Sequence, residues 1–132
     1  MKKYILSILV SLLFIPLAII GQAIGLFFGG YAAKIFANWF AASFIVLLIP
    51  YLLSGVLGGY ISAKAIQFLY KSFHLTSTLI IPSILIFISC LGEILGPIYN
   101  KDSNFDFLIV ISNLALIISY YYFLKEIDNN NN

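Results

Sequence analysis

A chain of 132 residues that is 62% apolar and only 9% charged exposes more greasy surface than a soluble core of that size can hide. Net charge is +2, from seven lysines and five acids, with no arginine and a single cysteine, so there is no phosphate-binding basic face and no disulfide or zinc framework. A soluble enzyme, a disordered chain, a disulfide scaffold and a nucleic-acid binder are poor fits, and an integral membrane protein remains.

The few charges divide the chain into four uncharged windows, residues 4–33, 35–63, 72–92 and 107–124, of 30, 29, 21 and 18 residues. A membrane-crossing helix needs about 20 apolar residues. Backbone groups cannot stay unpaired in lipid, and the runs are continuous rather than alternating, so helices are expected and not a barrel. The expectation is an all-α, polytopic four-helix bundle forming one transmembrane domain over 1–132. Its spans lie near 4–28, 39–61, 78–98 and 107–124, with a short polar tail at 125–132.

Span one follows Met1-Lys2-Lys3. Its uncharged run exceeds the roughly 7–15 residues of a signal-peptide core, so a retained span is expected. Pro16 lies near its middle and is expected to bend it. Gly21, Gly25 and Gly29 recur every four residues on one face, a groove into which another helix can pack closely. Gln22 stands about 9 Å outward of the span centre at ~1.5 Å per residue.

Span two repeats these features. Pro50 is near its middle and is expected to bend it as well, Gly55 and Gly59 are four apart, and so are Ser54, Gly58 and Ser62. Ser43 falls in its outer half. Reckoned from span centres, the span-one glycines lie in the outer half and those of span two in the inner half. The two faces are therefore expected not to mate along their full length, so that at least one meets span three, span four or a partner. Gly29-Gly30-Tyr31 with Lys34 is echoed by Gly58-Gly59-Tyr60 with Lys64, a faint inverted repeat that apolar sequences also generate by chance.

Span three is opened by Pro82 and carries Glu93, the one acid or base inside an expected span and so the default candidate for function. Cys90, one turn earlier, reads as a packing residue, because a thiol without a base stays protonated. His74, in the loop before the span, reads as solvated. Span four carries Asn113, about 4 Å outward of its centre. Glu93, Gln22, Asn113 and Ser43 thus form a candidate polar layer in the outer leaflet, able to bind a proton, a cation or a small polar solute. The bland alternative is a Glu93 that reaches water, with Gln22 and Asn113 as glue between helices.

Lys2, Lys3, Lys64, Lys71 and Lys125 fall on one side of this arrangement and Lys34 and Lys101 on the other, which favours both termini inside. Trp39 and Phe40 would mark the outer interface, and Tyr4, Tyr70, Phe73 and Tyr120-Tyr121-Tyr122 the inner one. The lysine-, isoleucine- and asparagine-rich composition fits an AT-rich genome and a bacterial cytoplasmic (inner) membrane.

No Ser/His/Asp set, phosphate loop, metal-ligand cluster or cofactor motif occurs, so neither an enzyme nor a cofactor is expected. In size and number of spans the chain resembles small multidrug exporters and fluoride channels. The exporters carry an essential glutamate in span one, where this chain has Gln22, so no residue carries over from either. The leading expectation is an accessory or scaffold subunit. It would self-associate, or pack on a larger membrane complex, through the faces of Gly21, Gly25, Gly29, Gly55, Gly58 and Gly59. The alternative is a small transporter or channel with its site around Glu93, in which Glu93→Gln abolishes flux.

Overall fold

With no water to bond the backbone, an apolar chain in lipid must satisfy its amides internally, and almost the whole of this one is helical. The computed structural model describes residues 1–39, 44–102 and 105–131. Among these residues five helices follow one another: α1 (Lys2–Ser11), α2 (Phe14–Trp39), α3 (Phe44–Leu69), α4 (Leu75–Tyr99) and α5 (Phe107–Asn131). The first two are pieces of one rod. Four stretches, Lys2–Phe36, Val46–Leu69, Leu75–Tyr99 and Phe107–Asn131, are long and apolar enough to cross a membrane. The protein is a multi-pass integral membrane protein.

The interruption between α1 and α2 has a local cause. Pro16 has no N–H to give the Leu12 carbonyl, the acceptor four residues back. That carbonyl instead accepts from Ile15 at 3.3 Å, and Leu12 and Leu13 bond three residues back, to Leu9 and Val10. The turn tightens there and the helix resumes at Phe14. By contrast, α3 runs uninterrupted through Pro50, and α4 through Pro82 and Pro97.

The helices overrun the spans expected from charge. Lys34 and Lys64 stand inside α2 and α3 rather than beyond them, because a lysine stem can lie along a helix while its ammonium reaches the interface. Each is held over a ring on its own helix, Lys34 over Tyr31 at 5.8 Å and Lys64 over Tyr60 at 5.9 Å. The polar tail expected at 125–132 is no separate segment: it continues α5 to Asn131, anchored by buried Leu124 and Ile127. His74 is not a free loop residue either: it caps α4, its ring accepting from the Ser77 amide, while its own amide donates to Ser7 Oγ at 2.8 Å.

α2 and α3 form an antiparallel pair whose register is set by small residues. A methyl group at Gly21 would lie 2.5 Å from the Gly58 Cα, one at Gly25 would strike Ser54, and one at Gly29 would strike Pro50. The numbers in each pair add to 79, so the stripes mate over more than two turns. The expectation that they could not mate fails because it placed them by the centres of shortened spans. The helices in fact continue to Trp39 and from Phe44, which brings the two stripes level, while the second face of α3, at Gly55 and Gly59, does meet span four as expected.

α3 is the central rod. Its other small face receives α5: Gly55 lies against Ser112, Ala115 and Leu116, and Gly59 against Ser119 and Tyr120. α4 packs on α5 and on α1. The buried core collects Phe14, Ala18, Ala63, Ile66, Tyr120 and Leu124, toward the end of the bundle that holds His74.

Candidate functional site

The sequence candidates do not gather at one point. Gln22 on α2 and Asn113 on α5 do meet. Together with Tyr51 and Ser54 of α3 and Ser112 of α5 they line a cleft of about 160 Å³ between α2 and α5. The serines are linked. Ser54 Oγ donates to the Tyr51 carbonyl at 2.8 Å, which leaves Ser112 Oγ as the donor to Ser54 Oγ at 2.7 Å. Asn113 donates through Nδ2 to Ser89 Oγ on α4 at 2.9 Å. A relay of uncharged groups therefore joins α5 to α3, and a separate hydrogen bond joins α5 to α4 at the same level.

Glu93 stands apart from this relay. It is four residues past Ser89, about 6 Å further along α4 at ~1.5 Å per residue. It does not line the cleft, is half-buried, and makes no hydrogen bond or ion pair among the described residues. Ser43 and Phe40 lie outside the described residues. The structure thus brings Gln22 and Asn113 together and leaves Glu93 on the flank of α4.

The glycines divide likewise. Gly21, Gly25 and Gly29 are covered by α3, Gly55 and Gly59 by α5, and Gly58 by Ala18, Gln22 and Leu116 from both sides. At Gly30 and Gly92 a methyl group would meet nothing within 4 Å. Gly92 begins a Gly-x-x-x-Gly spacing completed by Gly96, with Glu93 between. That spacing brings helices close in lipid, and α4 hides the smallest share of its apolar stretch of the four crossing helices.

Sequence reasoning missed Tyr51, Ser89 and Ser112 as site residues. One signal was available for Ser112. With Ala115 and Ser119 it makes a small-residue stripe at spacings of three and four, the complement of Gly55 and Gly59. Nothing in the sequence pairs Ser89 with Asn113.

The cleft offers hydrogen-bond donors and acceptors without a charge. A second recess, of about 280 Å³, lies between the ends of α3 and α5, where Lys64, Gln67, Glu126 and Asn130 converge. Its lysine and acid place it at the water interface. Comparison with known protein families, curated proteins and solved structures gives no match.

Proposed function

We propose that the chain is an accessory or scaffold subunit of a membrane assembly, associating through the open face of α4 with a further copy or with a helix of a larger complex. The observation that carries this reading is the contrast among the glycines: Gly21, Gly25, Gly29, Gly55, Gly58 and Gly59 are filled by the chain's own helices, whereas Gly92, open like Gly30, adjoins a carboxyl with no hydrogen-bond partner among the described residues. In lipid, small residues admit a close helix, and a carboxyl gains most from a hydrogen-bond donor or a cation on that helix. The glycine faces singled out in the sequence then shape the monomer, and α4 faces outward. A transporter built on Glu93 has less support, because the carboxyl does not join Gln22 and Asn113.

The same reading places both termini inside a bacterial cytoplasmic membrane, on the weight of five lysines against two. The test is purification of the full chain from native membranes in mild detergent. Wild type is expected to run as a larger species or to bring a partner, Gly92→Leu and Glu93→Leu to release it, and Gly30→Leu to leave it intact. A monodisperse monomer indifferent to all three changes would overturn the proposal.

A further inference from the structure

The cleft between α2 and α5 is incomplete as it stands. Ser112 and Ser54 commit their protons to the relay that ends on the Tyr51 carbonyl. The Tyr51 hydroxyl and the Gln22 amide have no hydrogen-bond partner among the described residues, and Asn113 uses its amide nitrogen on Ser89 but not its carbonyl. Water completes such groups at a protein surface, whereas hydrocarbon does not.

The depth of the cleft matters. In the α2–α3 register Lys34 lies opposite position 45, and Ser54 is nine residues from position 45 and ten from Lys64. The cleft therefore sits midway between the two lysine levels, in the middle of the hydrocarbon. It opens sideways. α2 and α5 both lean on α3 but are not in close contact along most of their length. Phe14 and Tyr120, ring centroids 4.8 Å apart, bridge them toward the end that holds His74. Leu26 and Ile109 complete the lining, and no acid or base contributes to it.

We infer that this cleft binds, from within the bilayer, the hydroxyl or carbonyl head of an uncharged lipophilic molecule. Each term of that description has a cause. The mid-membrane level and lateral opening favour arrival through lipid. The lack of a charged lining group disfavours an ion, which would enter mid-membrane without a counter-charge, against a neutral head. A space of about five water volumes at ~30 Å³ each fits a compact head and leaves the tail in the bilayer. Tyr51 donates to the head's oxygen, Gln22 donates or accepts, and the Asn113 carbonyl accepts a hydroxyl proton.

The test uses the full chain in phosphatidylcholine vesicles and two photoreactive probes. One is a long-chain alcohol with a diazirine beside the hydroxyl; the other is the matched alkane with the diazirine in the same place. The alcohol is expected to label the segments around Gln22–Leu26 and Ile109–Asn113 in clear excess over the alkane. Tyr51→Phe, which removes one hydroxyl and keeps the ring, is expected to lower that labelling about fivefold, the equivalent of one hydrogen bond. Alkane labelling of the outward face of α4 at Phe87 and Ile88 stays unchanged in a folded variant. Three results would overturn the inference: equal cleft labelling by both probes, labelling undiminished by Tyr51→Phe combined with Gln22→Leu, or no cleft labelling by the alcohol, in which case the cleft holds water alone.

Discussion

Pro82 removes the one donor that the Thr78 carbonyl would meet in a regular helix. The replacement comes from another rod: the Tyr120 hydroxyl donates to the Thr78 carbonyl at 3.1 Å, and Tyr120 itself is fully buried. A proline that would otherwise leave a bare acceptor in lipid thus becomes the point where α4 is fastened to α5. The same ring packs edge-on against Phe14, so one side chain ties α2, α4 and α5 together. Tyr120→Phe keeps the ring and deletes the bond. It is expected to destabilise the bundle by about 1 kcal/mol, the usual worth of one hydrogen bond. Unfolding in mixed micelles titrated with a denaturing detergent measures this, and a variant as stable as wild type would show that the Thr78 carbonyl finds another donor.

Among elements, the α2–α3 pair is the one whose geometry admits least change. Gly25 faces the Ser54 backbone with no room for a methyl, while Gly30, five residues on, faces open space. Gly25→Ala is expected to cost about 1–3 kcal/mol by forcing the helices apart. Gly30→Ala is expected to gain about 0.5–1 kcal/mol, since alanine is the better helix former. The same detergent titration separates the two, and equal effects would mean that the close approach is not rigid. How far these elements were legible beforehand follows from what each signal reports. Windows without charge gave the number of rods, because charge is costly in hydrocarbon and four windows leave few alternatives. They misplaced the ends, because Lys34 and Lys64 mark the water level and not the end of a helix. Spacing alone showed that Gly21, Gly25 and Gly29 share a face. Their match to Gly58, Ser54 and Pro50 depends on the register of α2 against α3, which spacing within one helix does not encode. At the candidate site, the polarity of Gln22 and Asn113 was plain, but their meeting with Tyr51 and Ser112, and the absence of Glu93, depend on rotations about three helix axes that side-chain type does not encode.

For the molecule as a whole, lysines define its fit to the membrane. From position 45, opposite Lys34, to Lys64 is 19 residues of α3, about 28 Å at ~1.5 Å per residue. A hydrocarbon core of about 30 Å matches that span, and Lys125 is held over Tyr121 on α5 as Lys64 is over Tyr60 on α3. Stability in phosphatidylcholine vesicles of graded chain length is expected to peak near that thickness and to fall in thinner and thicker bilayers, by fractions of a kcal/mol per Å. A flat response would remove the lysines as depth markers.

The tightened turn at Leu12–Leu13 bears on how the bundle is tied together. Before that joint the first rod leans on α4; after it, on α3. Beyond the joint the glycines of α2 lock it to α3, so the doorway facing α5 is held at a fixed width, while the lower portion stays moored beside His74. A single tightened turn therefore lets one rod serve two neighbours, and straightening it would pull the N-terminal segment off α4 without altering one residue that lines the cleft.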